Sequence, residues 1–223
     1  PRAAATEADT RPYPESPAVE ETAIVAAAAE PRRGLFGGLR NGGTANPPQS
    51  SGRGPEPGAP DYQQVSFGQA LPYGEVGRLC GVPASRLGTR VARYPENGRG
   101  YALYDSAPGN TAPHSFYLTG FADGCARQFT AALVLFGSPQ THEMIRYGAP
   151  SQTQPRSETD DAYEQIKSRV CRVRRGQPCG SRMNQLARNT VFVSIYERFG
   201  SNPRWKNLLL HDGEVAALDI KSK

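Results

Sequence analysis

The sequence lacks a long apolar run and lacks the spacing motifs of the common catalytic classes. Its longest uncharged apolar stretch, residues 23–29, ends at a glutamate and is far shorter than the roughly 18 residues that a membrane-spanning helix needs. No phosphate-binding loop, G-x-S-x-G elbow or G-x-G-x-x-G fingerprint is present. Nothing in the motifs therefore indicates a nucleotide-dependent enzyme or a serine hydrolase.

Metal-binding motifs are absent as well. There is no Cys-x-x-Cys pair, and His142 and Glu143 only begin a zinc-protease pattern. Arg146 stands where the second histidine would have to lie, one helical turn away, to share the metal. We therefore expect no metal and no cofactor, and we expect His142 to lie on a helix surface.

The four cysteines form an even set without a zinc-binding spacing. We favour two disulfides, Cys171 with Cys179, which are close in sequence around a predicted turn, and Cys80 with Cys125. Two disulfides predict an oxidising compartment. The alternative is four reduced or zinc-bound thiols in a cytosolic protein.

Residues 1–60 hold ten of the 20 prolines and eight glycines, with only two aromatic residues. Such a segment buries too little apolar area to offset the entropy of ordering. We therefore predict a disordered tether over 1–60 and one domain over 61–223. Within the tether, one cationic and apolar patch is either a docking or membrane-surface motif or a chance feature of a linker; it contains Arg33, Leu35, Phe36 and Leu39. Because the chain begins at Pro1 without a methionine, we also expect a removed upstream segment, such as a signal or membrane anchor.

The predicted domain is α+β, with an antiparallel sheet packed against two or three helices and stapled by disulfides. Aromatic and branched residues predict strands, Ser-Pro and capping-box patterns predict helix starts, and an Asp-Gly pair predicts a hairpin turn. The strands are expected at 101–105, 116–121, 129–136 and 190–199, the helices at 138–148, 157–175 and 181–189, and the turn at Asp212 and Gly213.

Finer expectations concern the second helix and the last hairpin. We expect the helix to end at Gly176, so that Arg172, Arg174 and Arg175 lie in its last turn. In the hairpin, Leu210 should face Val215 and Leu208 should face Ala217, with His211 opposite Glu214.

The most prominent chemical feature is a run of cations without a carboxylate between Glu164 and Glu197. Arginine forks match phosphate and carboxylate groups, so this run predicts a surface for an anionic partner. The alternative is an ordinary solvated helix surface. The predicted binding residues are Lys167, Arg169, Arg172, Arg174, Arg175, Arg182 and Arg188.

Three function hypotheses follow. The preferred one is a non-enzymatic binding or assembly module of a bacterial cell envelope, periplasmic or secreted, engaging an anionic envelope component or an acidic protein surface. Membrane association would come from an upstream anchor or from the tail. The second is a small hydrolase or transferase with His114 as base, supported by Asp123 or Arg127. The third is a cytosolic nucleic-acid binder, which is disfavoured because aromatic residues do not interleave with the arginines.

Overall fold

The structure, a computed structural model, describes residues 54–148 and 157–222. The predicted tail motif at 33–39 lies outside these residues. The strands are β1 (Gly77–Leu79), β2 (Thr89–Tyr94), β3 (Tyr101–Asp105), β4 (His114–Thr119), β5 (Ala126–Ala131), β6 (Leu133–Gly137), β7 (Thr190–Arg198), β8 (Arg204–His211) and β9 (Glu214–Ser222). The helices are α1 (Pro139–Gly148), α2 (Glu158–Cys171) and α3 (Met183–Asn189), and two 3₁₀ turns cover Ala84–Arg86 and Gly180–Arg182.

The predicted α+β class is confirmed, with two antiparallel sheets in place of one. The first sheet has the strand order β1-β5-β4-β3-β2 and the second has the order β6-β7-β8-β9. Side chains of both sheets, among them Phe116 and Leu118 from β4 and Val191 and Val193 from β7, form one buried cluster. The two sheets therefore pack face to face around the main core.

Two smaller clusters cover the outer faces of the sheets. Phe192 of β7 and Leu209 of β8 pack with Tyr163 and Ile166 of α2, so the helices lie on the second sheet. On the first sheet, irregular chain before β2 packs against Tyr117 of β4. The order of layers is thus coil, five-stranded sheet, four-stranded sheet and helices, which explains why β7 is apolar on both faces.

The expected strand over 129–136 is wrong in one respect, because the chain changes sheets at Ala132. Strand β5 ends at Ala131 in the first sheet and β6 begins at Leu133 in the second. The backbone N–H of Ala132 donates to the carbonyl of Tyr196 on β7, 2.7 Å away. Both halves are apolar because both border the main core, so the sequence pattern does not reveal the crossing.

Helix α1 spans Pro139–Gly148 as predicted, and the capping box of Ser157 and Asp160 at the start of α2 is confirmed. Helix α2 ends earlier than expected, at Cys171, because Arg172 adopts a left-handed conformation with φ 58° and ψ 40°. The expectation that Arg172, Arg174 and Arg175 lie in the last helical turn is therefore wrong. They lie in the loop that follows. The predicted start of α3 at Ser181 is also wrong, since Ser181 lies in a 3₁₀ turn and the helix begins at Met183.

The turn of the last hairpin is confirmed. Asp212 and Gly213 both have positive φ angles, 48° and 81°, as a type I′ turn requires. His211 pairs with Glu214, as expected.

The register of the same hairpin is only partly confirmed. Leu210 faces Val215, but Leu208 faces Leu218, and Ala217 faces Leu209. The cause is an irregularity in the pairing between Leu209 and Leu210, which shifts the partners by one residue.

Both predicted disulfides are present. Cys80 bonds to Cys125 with a Cα–Cα distance of 4.4 Å, and Cys171 bonds to Cys179 with a distance of 5.3 Å. The first ties the chain after β1 to the turn before β5, and the second closes the loop between α2 and the turn before α3. Two disulfides indicate an oxidising environment. Among the described residues, no helix combines the length and apolarity that crossing a bilayer requires.

Candidate anion-binding surface

Five of the predicted binding arginines are exposed and lie on neighbouring elements, and we call this set the arginine face. None of them makes an ion pair with a carboxylate among the residues that the structure describes. They belong to the end of α2, the loop after it, the 3₁₀ turn and α3, which are neighbours in space. These residues are Arg169, Arg172, Arg174, Arg182 and Arg188.

Arg175 differs from these five because it is already paired. Its guanidinium contacts the carboxylate of Asp161, and both side chains are about half exposed. An exposed pair of this kind contributes little to stability. It does lower the positive charge at that point, so Arg175 is a weaker candidate for binding than its neighbours.

The prediction that Lys167 is a binding residue of this surface is wrong, because its side chain is fully buried. Its ammonium group lies 2.7 Å from a carboxylate oxygen of Glu164 and also bonds the hydroxyl of Tyr147. Position 167 follows Tyr163 by four residues, so it lies on the buried side of α2. Lys167 therefore supports the helix from inside and is not part of the arginine face.

Carboxylates inside the helical layer hold the loop that carries the arginines. Glu143 of α1 accepts hydrogen bonds from the backbone N–H of Cys179, at 3.0 and 3.1 Å, and from the hydroxyl of Tyr163 at 2.9 Å. Glu164 accepts from the backbone N–H of Gly176 at 3.0 Å. Although burial raises the pKa of Glu164, hydrogen bonds from Lys167 and Tyr147 lower it below the usual value. The loop is therefore tied to α1 and α2 at two points.

The predicted catalytic trio is not assembled. His114 pairs with Ala131 at one end of the β4–β5 hairpin, while Arg127 pairs with Leu118 toward the other end. The difference of four residues along β5 corresponds to about 13 Å. Asp123 lies in the turn beside Arg127, so His114 does not share a site with either group.

The surroundings of His114 also argue against a role as general base. Its Nδ1 lies 2.8 Å from the carbonyl oxygen of Ala112, and its Nε2 lies 2.7 Å from a carboxylate oxygen of Asp105. Both ring nitrogens therefore lie within hydrogen-bonding distance of protein oxygens, and neither is open to a substrate. His114 fixes the start of β4 against the end of β3.

Arg127 and Asp123 belong to a buried ion cluster. The Nε of Arg127 donates to Asp61 at 2.6 Å, its Nη1 donates to Asp123 at 2.9 Å, and its guanidinium lies 4.2 Å from the centre of the Phe121 ring. This arrangement fastens the chain before β1 to the β4–β5 turn. These contacts have a structural role.

His142 is not the surface residue that the sequence predicts. Its ring stacks on Phe192 with centroids 4.2 Å apart and meets Tyr163 edge-on at 4.6 Å. Burial lowers its pKa to about 4, although the nearby carboxylate of Asp160 acts in the opposite direction. The missed indication is its position on α1 next to the buried Glu143, on the side of the helix that faces the second sheet.

A groove of about 700 Å³ between β2 and β6 was not predicted. Its walls come from the β2–β3 turn and from α1 and α3, and Arg188 of the arginine face lies on one of them. Sequence reasoning missed it because the two strands are distant along the chain, β2 ending at Tyr94 and β6 beginning at Leu133. The one local indication was the uncharged sequence of β6.

Comparison with known proteins gives no relative: no family model, curated protein or solved structure matches this chain. Within residues 54–148 and 157–222, no group of three or more His, Cys, Asp or Glu side chains could hold a metal ion.

Proposed function

We propose that this domain is a non-enzymatic binding or assembly module of the cell envelope, periplasmic or secreted, whose arginine face engages an anionic partner. The observation that carries the proposal is the set of five exposed arginines without a carboxylate partner among the described residues. The oxidised cysteines support the location, because disulfides persist outside the reducing cytosol.

The way the arginine face is built supports a binding role. Arg172 and Arg174 lie in a loop closed by the Cys171–Cys179 disulfide and anchored by the buried Glu143. A loop ordered in advance loses less entropy when it binds. Guanidinium groups held in this way can form paired hydrogen bonds to phosphate or carboxylate groups.

The preferred partners are an anionic envelope component, such as lipid or lipopolysaccharide phosphate, or an acidic protein surface. Nucleic acid is a weaker candidate because residues 168–188 contain no aromatic side chain, and single strands are usually bound by stacking on such side chains. The cytosolic version of that hypothesis also required free or zinc-bound cysteines, whereas all four are paired.

The hydrolase or transferase hypothesis has little support. Both ring nitrogens of His114 are engaged by acceptors, and the other two members of the trio form a buried ion cluster. We therefore retain binding as the proposed function.

Charge reversal on the arginine face tests the proposal. We expect Arg172→Glu, Arg174→Glu and Arg182→Glu together to weaken binding to poly-glutamate and to vesicles of anionic phospholipid by about tenfold or more at low salt. Arg175 is left unchanged because it pairs with Asp161. Fluorescence anisotropy measures the affinity for poly-glutamate, and vesicle sedimentation measures the affinity for lipid.

The matched control reverses three exposed arginines elsewhere, Arg86, Arg90 and Arg198, so the net charge changes equally. It should retain most of the binding. Circular dichroism should show an unchanged fold in both variants. If the two variants bind as tightly as the wild-type protein, or lose binding equally, the proposal is wrong.

A further inference from the structure

The edges of the two sheets are not equally protected against pairing with another chain. A free edge strand carries unpaired backbone groups, and proteins usually protect it by shortness, cover, bulges or charge. In the first sheet, β1 has only three residues. The backbone of Arg78, at its centre, is hydrogen-bonded to the backbone of Gln63 and Val65. At the other edge, β2 has a pairing irregularity between Arg90 and Ala92.

In the second sheet, one edge is protected and the other is not. Strand β9 includes Glu214 and Asp219, and α2 packs against it. Strand β6 has the sequence Leu-Val-Leu-Phe-Gly, without charge or proline, and within residues 54–148 and 157–222 it pairs on one side only, with β7 over five residues. Leu135 at its centre is 48% exposed. Among the described strands, β6 alone is an uncharged, regular edge with an exposed large apolar side chain.

A groove runs along this edge. It has a volume of about 700 Å³ and is lined by β6, by Tyr94 and Pro95 at the end of β2, and by Ala187 of α3. The rings of Tyr94 and Phe136 are 6.0 Å apart, so apolar side chains join β2 and β6 at this site. The space beside β6 is therefore an apolar trough next to a row of backbone hydrogen-bonding groups, which suits a single extended strand.

The charged side chains of the groove indicate which kind of partner it binds. Two arginines, Arg93 from β2 and Arg188 from α3, line it against one acid, Glu96. An extended segment with carboxylates could place them near both guanidinium groups. A second copy of this chain is disfavoured, because a two-fold pairing would bring together two grooves that each carry an excess of positive charge.

We infer that the free edge of β6 binds an extended acidic polypeptide segment as an added strand, with its carboxylates on Arg93 and Arg188. The inference rests on the proposed function for the anionic nature of the partner, and it specifies that partner as an acidic polypeptide. It uses a surface that, apart from Arg188, is separate from the arginine face.

The probe is a fluorescein-labelled nine-residue peptide of alternating glutamate and valine, added to the disulfide-bonded protein. Two controls share its length: a lysine–valine peptide, and the glutamate–valine peptide with alternate backbone amides methylated. We expect only the unmethylated acidic peptide to bind, since methylation removes the N–H groups of one strand edge.

Two test variants and two matched controls show whether the peptide binds in the groove. Leu135→Ser and Arg93→Glu should each weaken binding about tenfold. Val91→Ser and Arg90→Glu are the matched controls, because Val91 is 47% exposed and both residues are on β2 but do not line the groove. These two should bind nearly as well as the wild-type protein.

The outcomes separate this inference from the proposed function. If the acidic peptide fails to bind, if its methylated form binds equally well, or if Leu135→Ser and Arg93→Glu have no effect, the strand-addition site is overturned. Loss of binding only in the Arg172, Arg174 and Arg182 triple variant also overturns it, while leaving the arginine face supported. If sedimentation velocity shows a dimer that Leu135→Ser abolishes, the β6 edge pairs with a second copy of this chain. The inference that it binds an acidic segment is then wrong.

Discussion

At the scale of single residues, the buried Lys167 helps to hold the loop that carries Arg172 and Arg174. Its ammonium group pairs with Glu164, and the same carboxylate accepts the backbone N–H of Gly176 in the loop. Because Lys167 is fully buried and Glu164 is only partly exposed, water compensates poorly if one partner is removed. Lys167 therefore contributes to stability and the exposed arginines of its helix contribute to binding.

Replacing Lys167 should destabilise the protein far more than replacing an exposed cation on the same helix. Lys167→Met leaves the partly buried carboxylate of Glu164 without its cation, and we expect a loss of about 3 kcal/mol in the free energy of unfolding. Arg169→Met on the exposed side should change it by less than about 0.5 kcal/mol. Urea unfolding measures both, and equal effects would contradict the buried pair.

His142 predicts a specific pH dependence of stability. Its pKa is about 4 in the folded protein, because of burial, against 6.5 for an unperturbed histidine. Between these values the unfolded chain binds the extra proton, so the free energy of unfolding falls as the pH falls from 6.5 to 4.

This contribution amounts to roughly 3 kcal/mol at most. His142→Phe keeps the stacking on Phe192 and removes the titration. Urea unfolding at pH 7 and pH 4.5 should therefore show a smaller loss in the variant than in the wild-type protein. The same loss in both would show that burial does not lower the pKa of His142 in the folded protein.

Single residues also mark the limit of what the charge pattern could predict. Six of the seven cations in the run are exposed, but the run carries no information about which side of α2 each cation occupies. The position of Lys167 one helical turn after the buried Tyr163 provides that information. The same holds for His142, whose burial follows from its side of α1.

At the scale of elements, the sequence predicted most of the helices and strands but not where the chain changes direction. Capping residues and turn pairs are local, so the starts of α1 and α2 and the turn at Asp212 and Gly213 were correct. The change of sheet at Ala132 and the end of α2 at Cys171 depend on contacts outside these local patterns. The catalytic trio was wrongly grouped for the same reason, because sequence proximity to a hairpin does not say which of its ends a residue occupies.

The two disulfides should differ in their effects when removed. In the chain-entropy model, the Cys80–Cys125 bond, with a sequence separation of 45, contributes about 4 kcal/mol, and Cys171–Cys179, with a separation of 8, contributes about 2.5 kcal/mol. Serine pairs at each site, compared by thermal unfolding, test this order. Only the Cys171 and Cys179 pair should also weaken anion binding, because it closes the loop of the arginine face.

At the scale of the whole molecule, the arginine face and the groove along the β6 edge share only Arg188. The helices carry the arginine face, and the junction of the two sheets leaves the β6 edge open. The sequence predicted the first of these surfaces, since the cations are close together along the chain. It did not predict the second, because a groove between β2 and β6 exists only after the sheets have packed together.

The most direct test of the account is the salt dependence of anion binding by the arginine face. The ratio of wild-type affinity to that of the Arg172, Arg174 and Arg182 triple glutamate variant should be about tenfold or more near 20 mM salt and should approach one near 500 mM, because salt screens exposed charges. A ratio of one at low salt, or a ratio that salt does not change, would contradict the account.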